Sequence, residues 1–268
     1  MTVVAAPGSI RTARGCECRV SSYGDPGSPA VVFFHGAAGL LSDDRFFTAL
    51  GAAGFHVLVP ELPGYGASRG EELLEDMLDF TLHGWDVVDA LGVASAILAG
   101  HGMGGMIAAE MAAVAPTRVA SLVLVAPNGL WDDANPIPDL FALLPFQFAP
   151  LLFADDKAGA ALLSGAVDFS DMDALTEFFV ANSRRLGTAG KILFPIPNRR
   201  LSKRLYRVRN RTVLVWGTED AYVPVSYGRL WQQALGGAEL VEIDGSGHMV
   251  PYERPAELAA AITRFLAG

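Results

Sequence analysis

The sequence predicts an α/β fold, a mostly parallel, doubly wound sheet with an inserted all-helical lid. Short apolar runs alternate with helix-length segments in both the first and the last part of the chain, which is typical of parallel strands covered by helices on both faces. The alternation stops between residues 131 and 206, where the chain is apolar, interrupted by prolines and free of strand-like runs. We therefore predict a core at 1–130 and 207–268 and a helical cap at 131–206.

The first part of the core predicts five strands and three helices. Residues 10–22 alternate weakly between apolar and polar side chains and are predicted to form an edge strand, whereas the next strands are continuous apolar runs, as expected for burial on both faces. Gly54 marks the end of the first helix, and small residues after 102 allow the third helix to pack closely on the sheet. The predicted buried strands are 29–36, 55–66, 95–100 and 119–129, and the predicted helices are 43–54, 71–92 and 103–116.

After the inserted segment the alternation resumes with two more strands, each followed by a helix. The predicted elements are the strands 211–220 and 238–245 and the helices 227–237 and 255–268. Because ligands bind at the carboxyl edge of such sheets, a lid inserted there is expected to enclose a pocket.

Charge and hydropathy limit the partners of the chain. It has 268 residues and a net charge of −9, from 20 Lys and Arg against 29 Asp and Glu, and an acidic surface repels nucleic acid. The basic cluster at 199–211 is interpreted as a solvated helix face or a set of ion-pair partners.

No apolar run reaches the roughly 18 residues of a membrane helix and the N-terminus does not resemble a signal peptide, so we predict a cytoplasmic protein without a membrane partner. Cys16 and Cys18 are interpreted as ordinary strand residues.

Four short motifs follow predicted strands at the edge where the pocket is expected. The first is Gly100-His101-Gly102-Met103-Gly104, between a strand and a helix, and the second is the stretch 35–39, HGAAG. Asp220 follows one of the last strands, and His248 follows the other. An Asp that is hydrogen-bonded to a His fixes the tautomer of the imidazole and stabilises the imidazolium formed when it accepts a proton.

Together these motifs resemble the α/β-hydrolase fold superfamily over nearly the whole chain, particularly its lid-containing esterases and meta-cleavage-product hydrolases. The family motif is G-x-S-x-G, so the resemblance places Gly102 at the nucleophile position, with Asp220 and His248 as acid and histidine. It implies an oxyanion hole formed by the backbone N–H groups of Ala37 and Met103. The residues expected to support the elbow and the pocket are His35, Gly36, Gly100, His101 and Gly104.

Other residues remain alternatives for single roles. Glu219 is a second candidate for the acid, and the family's other acid position, after the 119–129 strand, offers Asn128, Asp132 and Asp133. His56 and His83 are interpreted as core or surface residues. The spacing of histidines and carboxylates does not match a metal-binding motif, so neither a metal nor a cofactor is predicted.

Gly102 has no side chain that could act as a nucleophile, and three hypotheses account for it. The chain is an engineered, inactive variant of a serine hydrolase, or a natural enzyme in which His248 activates water or transfers protons as in a lyase or cyclase, or a receptor-like protein that binds a small ligand without catalysis. In a serine-triad enzyme, removing the nucleophile costs on the order of 10⁶ in kcat. The first two hypotheses share an acyl-transfer type of site, so we predict a hydrolase.

The predicted substrate is a small, largely apolar molecule with an ester, a lactone or a cleavable C–C bond. It is the partner that we expect, for a protein that is a monomer or a homodimer. The prediction depends on four aromatic side chains of the lid, for which packing onto the core is the competing interpretation. These are Phe141, Phe146, Phe148 and Phe153.

Overall fold

The core of the protein is an eight-stranded sheet. A computed structural model describes residues 4–165, 167–198 and 200–268. Three parts of earlier predictions lie outside the described residues: residues 1–3 of the N-terminal segment, Ala166 of the predicted cap, and Arg199, which begins the basic cluster. The strands are β1 (Val4–Arg11), β2 (Glu17–Tyr23), β3 (Ala30–Phe34), β4 (His56–Pro60), β5 (Ala96–His101), β6 (Val119–Val125), β7 (Thr212–Gly217) and β8 (Glu239–Ile243).

The strands lie in the order β1-β2-β4-β3-β5-β6-β7-β8. All neighbouring pairs from β4 to β8 are parallel, whereas β1 pairs with β2 and β2 pairs with β4 in antiparallel fashion. The prediction of one edge strand over 10–22 is wrong. The chain turns back within that range, where the N–H of Thr12 donates to the carbonyl of Cys16 (2.9 Å) and Gly15 has a positive φ of 100°. The weak alternation of apolar and polar residues over 10–22 therefore reflects two short strands of a hairpin.

Helices cover both faces of the sheet, as the apolar runs predict. Val31 and Phe33 of β3 point into the cluster beneath α1 and α9, and the alternate residues Val32 and Phe34 point into the cluster beneath α2, α3 and α7. Both faces of the central strands are thus removed from water, which is the main stabilising term for such a sheet. The helices of the core are α1 (Arg45–Ala52), α2 (Met77–Ala90), α3 (Met103–Val114), α7 (Ser226–Ala234), α8 (Val250–Glu253) and α9 (Pro255–Ala267).

The segment between β6 and β7 is helical. It contains α4 (Phe148–Leu152), α5 (Asp156–Ser164) and α6 (Met172–Leu193), with short 3₁₀ turns before α4 and after α6 and no strand among its described residues. The side chain of Asp171 accepts hydrogen bonds from the first turn of α6, which satisfies N–H groups that have no intrahelical acceptor. That residues 131–206 form a cap domain of their own stays a prediction.

Several strands end earlier than predicted, always at the carboxyl edge. β4 ends at Pro60, β6 at Val125 and β7 at Gly217. The backbone leaves the sheet at these points; after β6, for example, Ala126 has a positive φ of 41°. The loops formed in this way bring functional side chains to one edge of the sheet.

In the part of the chain that the structure describes, no helix is both long and apolar enough to cross a membrane.

Candidate active site

Gly102 makes the sharp turn between β5 and α3. Its φ and ψ angles are 52° and −116°, a backbone conformation that costs a residue with a side chain about 1–3 kcal/mol. The turn is fixed by its neighbours, because the N–H of Gly102 donates to the carbonyl of Val125 (2.9 Å) and its carbonyl accepts the N–H of Met106 (3.1 Å). Met103 is the first residue of α3, so its own N–H has no acceptor within the helix and is suited to an oxyanion hole.

The glycines around the turn allow backbone segments to approach closely. A Cβ atom on Gly104 would lie 2.1 Å from the carbonyl oxygen of Phe34, and one on Gly100 would lie 2.3 Å from the carbonyl oxygen of Gly104. A Cβ atom on Gly36 would lie 2.8 Å from Nδ1 of His101. These contacts are shorter than van der Waals distances, so a larger residue at any of the three positions would displace the elbow or the adjoining loop.

His248 and Asp220 form a buried pair. The Nδ1 atom of His248 lies 2.8 Å from Oδ2 of Asp220, and their side chains are only 5% and 0% exposed. The other carboxylate oxygen accepts the N–H groups of Tyr222 (2.9 Å) and Val223 (2.8 Å). Because the carboxylate only accepts, Nδ1 carries the proton and Nε2 is left as an acceptor. Nε2 points to the elbow, 3.0 Å from where a Cβ atom of residue 102 would lie.

The loop after β8, which carries the histidine, is tied to the inserted helices. Glu253 accepts hydrogen bonds from the N–H of Gly247 (2.8 Å) and from the N–H of Ala154 between α4 and α5 (2.7 Å). The N–H of Met249 donates to the carbonyl of Leu152 in α4 (3.0 Å). The position of the histidine therefore depends on contacts with the inserted segment as well as with the sheet.

The loop after β3 is held by His35 and Tyr65. Nδ1 of His35 lies 2.9 Å from the carbonyl oxygen of Gly36, and its Nε2 accepts the N–H of Leu62 (3.0 Å). Burial lowers the pKa of His35 to about 4, so the ring is neutral and supports structure. The hydroxyl of Tyr65 donates to the carbonyl of Ala37 (3.2 Å), which fixes the residue whose N–H the resemblance assigns to the oxyanion hole.

His101 lies beneath the pair formed by His248 and Asp220. Its Nε2 is 2.9 Å from the carbonyl oxygen of His248, and the centres of the two rings are 4.7 Å apart. Burial, with a smaller effect of His248, holds the pKa of His101 well below its usual value. A neutral His101 therefore supports the backbone of His248, and the structure brings all the predicted elbow and pocket residues to one edge of the sheet.

A small cavity of about 20 Å³, enough for about one water molecule, adjoins His248. Three polar residues that line the cavity were not among the predicted site residues: Asn128, Tyr222 and Arg185. Of the three, the sequence analysis had considered only Asn128, as an alternative at the other acid position. The cavity shares Arg185 and Leu163 with a wider groove of about 500 Å³ between the β3 loop and α5 and α6. The groove therefore meets the cavity at Arg185 and Leu163.

Arg185 is a cation without a carboxylate partner among the described residues. It comes from α6, and its Nη1 donates to the carbonyl of Ala38 (2.9 Å), while its Nε has no hydrogen-bond partner. Burial lowers the pKa of its guanidinium, yet arginine keeps its charge at neutral pH. The sequence held one signal for this residue, because Arg184 and Arg185 are adjacent in a segment otherwise rich in apolar side chains.

The alternative acids lie elsewhere. Glu219 is exposed beside the buried Asp220. Asp132 bonds to Asn135, and Asp133 accepts the indole N–H of Trp131, so neither of them lines the cavity. Of the predicted acid candidates, only Asp220 contacts His248.

The other residues noted in the sequence have structural contacts. Of the four lid phenylalanines only Phe148 lines the cavity, whereas Phe146 is 73% exposed. His83 is buried 3.6 Å from the sulfur of Cys18, and Arg204 of the basic cluster pairs with Glu110 of α3. Within the described ranges, no group of three or more His, Cys, Asp or Glu side chains is placed to hold a metal ion.

Comparison with known sequences gives one family. The profile of the alpha/beta hydrolase family matches residues 31–261. The chain is 28% identical over 252 residues to a dihydrolipoyllysine-residue acetyltransferase component of the acetoin cleaving system from Cupriavidus necator, covering 90% of this chain but only 64% of that protein. It is 27% identical over 256 residues to 2-hydroxy-6-oxo-6-phenylhexa-2,4-dienoate hydrolase from Burkholderia cepacia, covering 89% of this chain and 87% of the relative.

Solved structures share the fold. The 2-hydroxy-6-oxo-6-phenylhexa-2,4-dienoate hydrolase of Rhodococcus sp. strain RHA1 superposes with a TM-score of 0.75 at 21% identity, covering 99% of this chain and all of that chain. A bacterial membrane phospholipase A has a TM-score of 0.80 at 23% identity, covering 98% and 86% of the two chains. The family and the names of the sequence relatives support a hydrolase-type function. The eight-stranded sheet, the glycine elbow and a profile match over most of the chain show that the chain belongs to the alpha/beta hydrolase family.

Proposed function

We propose that the protein is a hydrolase in which His248, oriented by Asp220, acts as a general base on a water molecule beside Gly102. The observation that carries the proposal is the position of Nε2, which lies 3.0 Å from where a Cβ atom of residue 102 would lie, while Nδ1 is bound to Asp220 at 2.8 Å. A base must be within hydrogen-bond reach of the proton that it abstracts, and an oxygen next to Gly102 meets that requirement.

The reaction follows from this arrangement. The water oxygen forms a bond to the carbonyl carbon of the substrate as its proton passes to Nε2 of His248. The electron pair of the carbonyl moves to its oxygen, which accepts the N–H groups of Ala37 and Met103. When the carbonyl re-forms, the bond to the leaving group breaks and the imidazolium returns the proton to that group. Asp220 stays ionised and stabilises the imidazolium.

The substrate that we propose is a small molecule with an apolar body and a carboxylate. The cavity and its groove are lined by apolar residues of the inserted segment, including Phe148 and Leu163. Arg185 adds a positive charge that forms no ion pair with a described carboxylate, although Glu61 and Glu177 also line the groove. The name of the Burkholderia cepacia relative supports a carboxylate, since the dienoate in it is a carboxylate anion. An ester, a lactone or a C–C bond next to a carbonyl fits the same chemistry.

Two substitutions test the mechanism with p-nitrophenyl butyrate as the probe. Gly102→Ser places a hydroxyl within reach of His248, so we expect faster hydrolysis with a burst of p-nitrophenol from an acyl-enzyme. His248→Ala in the original background should reduce the slow hydrolysis to the buffer rate. Hydrolysis that is unchanged by His248→Ala would contradict the water mechanism. Stoichiometric, unaltered ligand detected by mass spectrometry after incubation would instead support a receptor.

Arg185 provides a test of the substrate class. Arg185→Gln should raise KM for esters that carry a carboxylate by about tenfold, because a charge-assisted hydrogen bond to the substrate is lost, with little change for neutral p-nitrophenyl butyrate. Arg14→Gln, which removes a surface cation paired with Asp79, is the matched control. An equal change for charged and neutral esters would show that Arg185 has no role in recognising carboxylates.

A further inference from the structure

We propose that Asn128, in the loop after β6, is a positioning residue for the water that His248 activates, and that Tyr222 sets the orientation of the Asn128 side-chain amide. This inference rests on the proposed function and deepens it. It assigns a second anchor to the nucleophile and gives a reason for a glycine at position 102.

Two acceptors flank the same point beside the elbow. A Cβ atom built on Gly102 would lie 3.0 Å from Nε2 of His248 and 3.5 Å from Oδ1 of Asn128. A water oxygen near this point has two O–H donors, one for each acceptor. With both hydrogens engaged, its lone pairs face the cavity, where a carbonyl carbon would be bound. One acceptor alone would leave the molecule free to rotate about that hydrogen bond.

Asn128 is held firmly in place. It is buried, with 1% of its surface exposed, and its N–H donates to the carbonyl of Gly102 (3.0 Å). This hydrogen bond ties the backbone of Asn128 to the elbow, and the backbone carries the side-chain amide. A buried amide side chain requires polar partners, and one face of this amide points into the cavity beside His248.

Tyr222 joins the three polar groups of the site. Nδ2 of Asn128 donates to its hydroxyl at a long 3.5 Å, which turns Oδ1 of the amide toward Gly102. The backbone N–H of Tyr222 donates to Asp220 (2.9 Å). The ring of Tyr222 meets the ring of His248 edge-on, with centres 4.9 Å apart. A displacement of Tyr222 would therefore move the amide and the imidazole together.

The arrangement also explains why residue 102 has no side chain. A methyl group there would occupy the point between the two acceptors, at 3.0 Å from Nε2. In this hypothesis the water molecule can bind only because residue 102 is a glycine. Gly102→Ala should therefore abolish the water-dependent reaction, although it leaves Asp220, His248 and both oxyanion donors in place.

The kinetic test compares Asn128 variants in two backgrounds, with p-nitrophenyl butyrate. In the original background, Asn128→Leu, which has a similar shape but no acceptor, should lower kcat by about tenfold, the effect of one hydrogen bond to the nucleophile, with KM changed by less than about twofold. Asn128→Asp keeps an acceptor oxygen and should retain most of the activity. In the Gly102→Ser background the nucleophile is covalently attached, so Asn128→Leu should lower kcat by less than about threefold.

The outcomes separate the possible roles. Equal losses in both backgrounds would show that Asn128 only maintains the structure, and no loss in either would overturn the inference. If the original protein shows no hydrolysis that depends on His248, the proposed function fails, and a crystal structure decides the inference alone. We expect an ordered water within about 3.2 Å of both Nε2 and Oδ1, which is absent in Gly102→Ala and Asn128→Leu. Its absence from the original protein would overturn the inference.

Discussion

Single side chains decide the chemistry of this site, and Asp220 and Glu219 illustrate how. The two carboxylates are neighbours in the sequence, but Asp220 is buried and bonded to His248 whereas Glu219 is exposed. The chain order of elbow, acid and histidine predicted Asp220 as the acid, and the structure places its carboxylate 2.8 Å from Nδ1 of His248. Its role in catalysis stays a prediction.

This pair of neighbours allows a matched test. Asp220→Asn keeps an oxygen that accepts the N–H groups of Tyr222 and Val223 but removes the charge that stabilises imidazolium, so the hydrolysis rate should fall by roughly 10³–10⁴, as in serine triads. Glu219→Gln should leave the rate unchanged, because its side chain is in water. Rates of p-nitrophenyl butyrate hydrolysis and circular dichroism of both variants would measure this. A similar loss in the two variants would contradict the assignment of the acid.

Among the elements, α6 is central because it carries Arg185 to the cavity. The adjacent Arg184 pairs with Glu71 in the loop before α2 and donates to the carbonyl of Ser68 (2.9 Å). Two turns further along α6, Lys191 donates to the carbonyls of Glu71 (2.6 Å) and Leu74 (2.8 Å). These contacts attach α6 to the segment of the core before α2. Because these contacts are ionic and partly exposed, we expect α6 to be the part of the inserted segment that opens most easily.

The opening of α6 is measurable by hydrogen exchange. Arg184→Gln should increase amide exchange in α6 by about tenfold, because a partly buried ion pair with two acceptors is lost, while the exchange of β5 and β6 stays unchanged. Arg118→Gln, which removes an ion pair with Asp89 at the surface of the core, is the control. Equal exchange of α6 in the two variants would show that the contact with Glu71 does not hold the helix closed.

Over the whole molecule, three buried histidines link stability to pH. Burial lowers the pKa values of His35 and His83 to about 4 and holds that of His101 well below its usual value. In the unfolded chain a histidine has a pKa of about 6.5, so between pH 6.5 and 4 the unfolded state binds more protons. The free energy of unfolding therefore falls as the pH decreases through this window.

His35 and His83 should each remove about 2 kcal/mol of stability between pH 7 and 5, and His101 should act in the same direction. Urea unfolding followed by circular dichroism at both pH values would measure the sum. His83→Gln, outside the candidate site, should reduce the pH dependence by about a third, since one of three groups no longer titrates. Stability that is the same at pH 7 and 5 would contradict the neutral state of these residues in the folded protein.

The sequence determined the order of strands and helices, because hydrophobic runs and their periods are local properties of the chain. It also predicted which residues would meet at the carboxyl edge, since parallel strands bring successive loops to the same side. The pair Asp220 and His248 is the best example. The hairpin of β1 and β2 was missed because short strands with weak alternation have no strong local signal.

Only the tertiary structure decided which other side chains complete the site. Arg185 comes from a helix some 80 residues beyond the elbow, and its approach depends on how the inserted segment packs on the core. Asn128 and Tyr222 face each other because the backbone leaves the sheet directly after β6 and β7. Such encounters depend on loop conformations and long-range packing, which a local pattern does not contain. The same holds for Gly102, whose consequence became clear only from the two acceptors that flank it.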